Sequence, residues 1–250
     1  MTFTDEEVER YARHLVLREI GGPGQQALKA ARVLIVGLGG LGAPAALYLA
    51  AAGIGTLGLA DGDEVSLSNL QRQVLYRTED VGRAKAKAAV EALARINPHV
   101  AFEPHALMLD DSNAAGIVGG YDLVLDGTDS FAARFCVSDA CLAAGKPLVS
   151  GAIGRWTGQL SVFAGKPCYR CLVPETPPDA ETCSAVGVMG ALAGVIGSMM
   201  ALEAIKIVTG AGEPLVGRLL IYDALSATSR IVGLPADPEC PACGGAVTSA

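Results

Sequence analysis

The apolar residues of the chain fall into short continuous runs that are separated by longer segments with a helical pattern. Five runs come first: RVLIVG at 32–37, TLGLAD at 56–61, HVAFEPHA at 99–106, YDLVLDG at 121–127 and PLVSGAI at 147–153. Continuous apolar runs of this length are typical of strands buried on both faces of a sheet. Their alternation with helical segments predicts an α/β fold, a Rossmann-like doubly wound and mostly parallel sheet.

Start and stop signals place the helices between these strands. TDEE at 4–7 is a capping box, which predicts a helix to about residue 18 that GGPG at 21–24 then breaks. LGAPAALYLAAAG predicts a helix ending at Gly53. A further helix is expected over about 83–96, stopped by Pro98.

The pattern changes after Trp156. GQLSVFAG at 158–165, RLLIYDA at 218–224 and TSRIVG at 228–233 indicate a C-terminal antiparallel extension. Between them, residues 185–202 form an uncharged run of 18 residues that contains Gly190 and Gly194. The run is at the minimum length for a membrane span and no basic cluster flanks it, so we expect a buried helix and no membrane.

Composition narrows the classes of protein. The chain has 250 residues, of which 51% are hydrophobic and 18% charged, so it can bury a large core. We expect one domain over 1–250, divided into parts at 1–30, 31–155 and 156–250. The net charge of −7 without a basic stripe argues against nucleic-acid binding. The acidic N-terminus is unlike a signal peptide, and the seven cysteines suit reduced thiols in the cytoplasm.

A glycine-rich loop follows the first strand. GLGGLG at 37–42 fits G-x-G-x-x-G, opens the next helix and is followed by Asp61 at the end of the second strand. Its glycines Gly37, Gly39 and Gly42 permit a tight turn and a close approach of phosphates to a helix N-terminus, while the acid accepts from a ribose hydroxyl. The motif predicts an adenosine-containing ligand and leaves NAD and ATP as alternatives.

Charged residues near this loop favour ATP. Arg72 follows the ribose acid, Lys85 opens the next helix, and Asp126 and Asp129 follow the fourth strand. A carboxylate that attacks the α-phosphorus of ATP is already ionised at neutral pH, so the obstacle is repulsion between anions. Cations and a carboxylate that holds magnesium reduce this repulsion, whereas a hydride-transfer site needs neither.

Two C-x-x-C pairs predict a metal site. CYRC contains Cys168 and Cys171, and CPAC contains Cys240 and Cys243. Four thiolates leave no open coordination position, so we expect structural Zn²⁺ that ties the C-terminus to the central part, with a redox role of either pair as the alternative. Of the other cysteines, Cys136 and Cys141 are expected in the core, and Cys183 stands alone.

The combination of motifs resembles the MoeB/ThiF/HesA family, bacterial relatives of the ubiquitin-activating enzymes. The likeness covers nearly the whole chain and rests on these segments: RYARHLVL, VLIVGLGGLGAPAALYLAAAGIG, DGDEVSLSNLQRQVLY, VGRAKA, INPHV, DLVLDGTDS, PCYRCL, TCSAVGVMG and GVIGSMMALEAIK. The resemblance implies ATP- and Mg²⁺-dependent adenylation of the C-terminal glycine of a small ubiquitin-like sulfur carrier. It makes 31–155 the nucleotide-binding part and 156–250 the carrier-binding and zinc part.

The same resemblance implies roles for single residues. Gly40 and Asp61 hold the nucleotide, Lys85 contacts phosphate, Asp129 binds magnesium and Arg72 acts as an arginine finger. The phosphates are wrapped by the segment Ser68, Asn69, Leu70, Gln71 and Arg72. Arg13 matches an arginine that enters the site from the other subunit of a homodimer. Cys183 matches the crossover-loop cysteine, which in ThiF-like members bonds covalently to the carrier.

Two positions depart from the family pattern: Ser130 replaces the usual asparagine, and Gly127 replaces a larger residue. Because the chain ends soon after the second cysteine pair, we expect no fused rhodanese domain and a separate sulfur donor protein. The carrier, which ends in Gly-Gly, is expected to be of the molybdopterin synthase type. The alternatives are a thiamin-pathway or tRNA-thiolation carrier and, outside this class, an NAD-dependent dehydrogenase or a non-catalytic module that binds ubiquitin-like proteins.

Overall fold

A computed structural model describes residues 2–177 and 187–244. Their strands form one eight-stranded sheet in the order β3-β2-β1-β4-β5-β6-β7-β8. The strands are β1 Arg32–Val36, β2 Thr56–Ala60, β3 Ala101–His105, β4 Leu123–Asp126, β5 Leu148–Gly154, β6 Thr157–Phe163, β7 Arg218–Asp223 and β8 Thr228–Gly233. Strands β1 to β5 pair in parallel, and β6 to β8 add an antiparallel extension. The predicted fold class is confirmed.

Helices cover both faces of the sheet. They are α1 Asp5–Arg10, α2 Ala12–Leu15, α3 Gly21–Ala30, α4 Gly42–Ala52, α5 Lys85–Ile96, α6 Ala114–Gly119, α7 Phe131–Ala143, α8 Tyr169–Leu172 and α9 Gly190–Thr209. Helix α4 packs with α5 and α9 on one face, and α6 packs with α7 on the other. Side chains of β1 alternate between the two cores: Val33 and Ile35 enter one, and Leu34 and Val36 the other.

The N-terminal helix is shorter than the sequence predicts. The capping box is present, since Thr4 Oγ1 accepts from the Glu7 amide at 3.2 Å and Glu7 Oε2 accepts from the Thr4 amide at 2.9 Å. The helix nevertheless ends at Arg10, because the buried ring of Tyr11 packs against Gly53 and takes its own backbone out of helical geometry. The predicted single helix to residue 18 is therefore wrong: two short helices replace it.

GGPG at 21–24 was also expected to be a break, and it is instead the first turn of α3. Gly21 has φ of +55°, which starts the helix after a left-handed residue. Pro23 lies in the first turn, where its missing N–H costs no intrahelical hydrogen bond. Proline and glycine at these positions start this helix and do not interrupt it.

Helix α9 contains residues 190–202 of the long apolar run and continues to Thr209. Its 20 residues are long and apolar enough to cross a membrane by length and composition. One face is buried against α4, β5 and β6 and includes Leu192, Ile196 and Met200. The opposite face exposes Val195 and Leu202. The expected buried helix is thus confirmed for one face.

Candidate active site

A cleft of about 550 Å³ opens at the carboxyl ends of β1, β2 and β4. This edge is where the strand order reverses, because β1 lies between β2 and β4. In open α/β sheets, ligands bind in the crevice at such a switch point. Of the predicted site residues, the cleft is lined by Gly37, Gly39, Gly40, Asp61, Arg72, Lys85, Asp129 and Ser130.

The glycine loop forms one wall and owes its shape to missing side chains. Gly37 has φ of +83°, and a Cβ there would lie 2.9 Å from the backbone of Gly127. A Cβ on Gly42 would overlap the Gly37 carbonyl oxygen. Gly42 itself does not line the cleft in the described residues; it lets α4 begin directly behind the loop. The amide groups at this helix N-terminus suit a phosphate.

Asp61 is held rigidly at the end of β2. Its side chain accepts hydrogen bonds from the amides of Leu38 at 2.7 Å and Asp63 at 2.9 Å. Burial raises the pKa of Asp61 above its ordinary value, although the charge of Lys85 and the two amides oppose the shift. A fixed, dry carboxylate is a suitable acceptor for ribose hydroxyls.

Lys85 is buried beside this carboxylate. Its Nζ lies 2.8 Å from Asp63 Oδ2 and 3.9 Å from Asp61 Oδ2. The two acids hold the ammonium group at the cleft wall, where it can turn to a phosphate. Lys85 is the first residue of α5, as the sequence predicts for a side chain reaching back to the sheet edge.

The segment around Arg72 forms a compact turn at the mouth of the cleft. A short 3₁₀ helix covers Leu67–Asn69, and Arg72 Nη1 donates to the Ser68 carbonyl at 3.2 Å. Arg72 lines the cleft in the described residues, but Ser68, Asn69, Leu70 and Gln71 do not. The backbone of Gln71 packs against Gly190 at the start of α9. The turn therefore presents one cation to the cleft and supports it from behind.

Asp129 lies on a loop that is organised by a different carboxylate. Asp126 is fully buried and accepts from the Thr128 amide at 3.0 Å, the Thr128 hydroxyl at 2.7 Å and the Ser150 hydroxyl at 3.0 Å. Ser130 is the N-cap of α7, and its Oγ accepts from the Ala133 amide at 3.2 Å. Serine and asparagine are equally good N-caps, so this departure from the family pattern preserves the cap.

The cleft also contains residues that the sequence did not predict, among them Arg134 and Gln73. Arg134 is mostly buried and donates to the Thr128 carbonyl at 2.6 Å, which braces the Asp129 loop. Gln73 is 4% exposed, and its Oε1 has no hydrogen-bond partner among the described residues. Nothing in helix periodicity signals Arg134, whereas Gln73 lies only one residue after Arg72. The Gln73 side chain lines the cleft, but its Oε1 is shielded from solvent, and the amide nitrogen is the atom that lies beside Gly39 of the glycine loop.

The four predicted zinc cysteines come together away from this cleft. Their sulfur atoms all lie within 4.8 Å of one another, with 3.5 Å between Cys168 and Cys240 and 3.4 Å between Cys171 and Cys243. Sulfurs around a tetrahedral zinc with bonds of roughly 2.3 Å are about 3.8 Å apart, so the donor set fits this ion. Burial opposes ionisation of Cys240, but the amides of Cys243 and Ala242 outweigh it and lower the pKa of its thiol to about 7.

Arg13 lies far from the cleft of its own chain. Arg13 lies on α2, which follows Tyr11 at the C-terminal end of α4, whereas the cleft is at the N-terminal end of that helix. At roughly 1.5 Å per residue, α4 separates the two ends by about 16 Å. Arg13 does not line the cleft of its own chain in the described part of the structure. Cys183 lies outside the described residues.

Residues 11–242 match the ThiF family. The chain is 47% identical, over 98% of its length and 93% of the relative's, to a sulfur carrier protein adenylyltransferase from Thermus thermophilus. It is 50% identical, over 96% of its length and 98% of the relative's, to a molybdopterin-synthase adenylyltransferase from Escherichia coli.

Longer relatives match over only part of their length. The chain is 50% identical over 94% of its length to the probable adenylyltransferase/sulfurtransferase MoeZ of Mycobacterium tuberculosis, but spans 62% of that protein. Among solved structures, PaaA matches with a TM-score of 0.77 at 26% identity, covering 93% of this chain and 75% of that one. Escherichia coli MccB with MccA-N7isoASN matches with a TM-score of 0.84 at 22% identity, covering 98% and 76%, and shares the fold.

Proposed function

The chain belongs to the ThiF family, and on that premise we propose that it adenylates the C-terminal glycine of a small ubiquitin-like sulfur carrier protein. The resemblance drawn from the sequence is confirmed by relatives of about half identity that are named adenylyltransferases. The products are a carrier acyl-adenylate and pyrophosphate. The proposal favours a carrier of the molybdopterin synthase type.

One observation carries the proposal: Arg72, Lys85 and Asp129 line the same cleft as the glycine loop. A dehydrogenase would use the loop and Asp61 but has no need of two cations and a second carboxylate facing the phosphates. Transfer of a nucleotidyl group does need them, because negative charge develops on the phosphates as the carrier carboxylate approaches.

Each residue of the cleft is assigned a role according to its position. The Gly37–Gly42 loop receives the phosphates at the α4 N-terminus, and Asp61 accepts from the ribose. Lys85 exchanges its contact with Asp63 for a phosphate oxygen, and Arg72 neutralises charge on the triphosphate side. The carrier carboxylate is ionised at neutral pH, so no general base is required. Asp129, with Ser130 beside it, supplies oxygen donors suited to Mg²⁺, which when bound neutralises phosphate charge.

Zinc has a separate place in the proposal. The four cysteine sulfurs at 168, 171, 240 and 243 form a closed, buried donor set that leaves no position for a substrate. We assign the ion a structural role, joining α8 to the segment after β8. The redox alternative is disfavoured because all four thiols are grouped around one point.

Arg13 supports a homodimer. About 16 Å of α4 separates its end of the molecule from the cleft, farther than an arginine side chain reaches. Its neighbours Val16 and Leu17 are exposed apolar residues, as are Tyr48 on α4 and Leu202 on α9. Covering such a surface with a second copy would bring Arg13 to the partner's cleft and complete both sites.

The carrier and the sulfur source are further parts of the proposal. A Gly-Gly tail carries no side chains, so it can enter a narrow part of the cleft. Thiamin-pathway or tRNA-thiolation carriers remain alternatives, and a covalent link to Cys183 belongs to the thiamin-type alternative. The relatives named adenylyltransferase/sulfurtransferase are matched over 62% and 50% of their length. A separate sulfur donor protein is a further part of the proposal. Thiols that must bind zinc in the reduced state favour the cytoplasm.

Magnesium-dependent exchange of pyrophosphate into ATP tests the function. Each candidate carrier is added singly, and a carrier lacking its last glycine is the matched control. Exchange that requires the complete tail establishes adenylation, and the active carrier identifies the pathway. Carrier binding without exchange would favour the non-catalytic module, and tight NADH binding without ATP binding would favour the dehydrogenase.

A further inference from the structure

Residues 5–15, comprising α1, Tyr11 and α2, form what we call the arginine arm, because Arg13 projects from it. We propose that Asn97 and Tyr11 are positioning residues that orient this arm so that Arg13 enters the cleft of a second copy. The inference rests on the proposed function, since it concerns the arginine that the partner subunit would supply.

The contact begins with Asn97, the C-cap of α5. Asn97 is fully buried, and its Nδ2 donates at 2.8 Å both to the Tyr11 hydroxyl and to the Ala50 carbonyl on α4. Its Oδ1 accepts from the His99 amide at 3.1 Å. One side chain thus ties the arm to the ends of two core helices and satisfies all of its own hydrogen-bonding groups.

The Tyr11 ring adds shape to this connection. It is 4% exposed, and it packs so closely on Gly53 that a Cβ there would lie 2.5 Å from the ring carbon bearing the hydroxyl. Gly53 is the left-handed residue that ends α4, with φ of +83°. The tyrosine is therefore seated in a gap that only glycine leaves.

A second tie lies on the other side of Arg13. His14 Nδ1 is 3.0 Å from Gln25 Oε1, and Gln25 is fully buried and donates to the Ala52 carbonyl at 2.8 Å. Arg13 is thus flanked by two anchored residues. Its own side chain is exposed and has no hydrogen-bond or ion-pair partner among the described residues. The anchors fix the backbone that carries the arginine and leave its guanidinium free for another molecule.

Mixed dimers test whether these residues act through the arm. Each active site needs Arg72 from one chain and the arm from the other. In a dimer of Arg72→Ala with Tyr11→Phe, the Tyr11→Phe chain has an intact Arg72 and receives an intact arm. In a dimer of Arg13→Ala with Tyr11→Phe, the only site with both arginines receives the altered arm. Two affinity tags isolate each mixed dimer.

We expect Tyr11→Phe homodimers to lose about threefold, and Asn97→Ala homodimers about tenfold, in kcat/KM for ATP in the exchange assay. Pairing with Arg72→Ala should restore the full activity of one site. Pairing with Arg13→Ala should keep the defect. Tyr121→Phe is the matched control: it removes the hydroxyl of another buried tyrosine, which bonds to Glu103, and should show no defect.

The outcomes separate this inference from the function on which it rests. If Arg72→Ala and Arg13→Ala fail to complement each other while the wild-type enzyme is active, the shared site is wrong and the inference falls with it. If those two complement but the Tyr11→Phe defect persists with Arg72→Ala, the residue acts on its own chain and only the inference is overturned. Tyr11→Phe keeps the ring in place, so the test stands even if Asn97→Ala fails to fold.

Discussion

The nucleotide cleft and the four-cysteine cluster satisfy their polar groups in opposite ways. In the cluster, four sulfurs face one another and the surrounding protein closes around them. In the cleft, Gln73 keeps an unpartnered oxygen among the described residues, and Lys85 is paired with an acid from which a phosphate can draw it away. A group that already has its final partners stabilises the fold, and a group that can exchange its partner is available for binding.

This difference predicts that changes in the cleft alter activity more than stability, and that changes in the cluster do the reverse. Four measurements test this division, in decreasing order of expected effect.

The largest effect is expected for Asp129→Ala. Removing the carboxylate that suits Mg²⁺ leaves phosphate charge uncompensated, so ATP–pyrophosphate exchange should fall by about a thousandfold. The melting temperature should change by less than about 2 °C, because the Asp129 side chain makes no hydrogen bond or ion pair with the residues that the structure describes. Asp122→Ala, at the opposite end of β4, is the control. A large fall in melting temperature would break the division.

The second-largest effect is expected for loss of the metal, and it should be an effect on stability. Chelation, or Cys240→Ser, should lower the free energy of unfolding by about 3 kcal/mol and the melting temperature by about 10 °C, because four buried thiols lose their common partner. Exchange activity at low temperature should be nearly unchanged. Cys141→Ala alters a buried cysteine outside the cluster and should cost only about 1 kcal/mol. Full stability after zinc removal would contradict the structural role.

Gln73→Leu should lower ATP affinity without lowering the stability of the folded protein. ATP affinity, measured by calorimetry, should fall about tenfold because leucine removes the amide nitrogen beside Gly39, which can donate to a phosphate. Stability without ligand should stay the same or rise, since the substitution removes a buried acceptor that has no partner in the described structure. The exposed Gln26→Leu should alter neither quantity. Unchanged affinity would remove Gln73 from the site.

The smallest effect is a pH dependence from Asp61. Burial raises its pKa in the folded protein, so protonation begins at a higher pH than in the unfolded chain. Adenosine affinity should therefore weaken as pH falls from 7 through the raised pKa toward the ordinary value of about 3.9, whereas the stability contribution of Asp61 grows over the same interval. Adenosine carries no phosphate to titrate. Asp61→Asn should remove this pH dependence, and the exposed Asp122→Asn should retain it.

Local rules were sufficient for most of the parallel half. Gly53 ends α4 because a left-handed residue is needed there, and the glycine loop follows β1 because the turn is tight. Both features can be predicted from the residues next to them in the sequence. The cysteine pairs were also readable, because tetrahedral sulfur sites use short, regular spacings.

Tertiary contacts explain what the sequence did not reveal. Tyr11 ends the first helix because its ring packs against Gly53, which lies far away along the chain. Arg134 braces the Asp129 loop through a carbonyl, and no periodicity indicates that contact. The distance of Arg13 from its own cleft also depends on how α2 lies at the far end of α4. Each case requires knowledge of which distant surfaces meet.

The glycines beneath α9 have a consequence for building hybrid proteins. A Cβ on Gly151 would collide with Met200, and one on Gly197 would collide with Leu41 and Pro44 beside the nucleotide loop. The two halves of the chain thus pack closely against each other at these glycines. A chimera that joined residues 1–155 to the C-terminal half of a distant relative would have to exchange these partners together, since either half alone would bring side chains of the wrong volume to the joint.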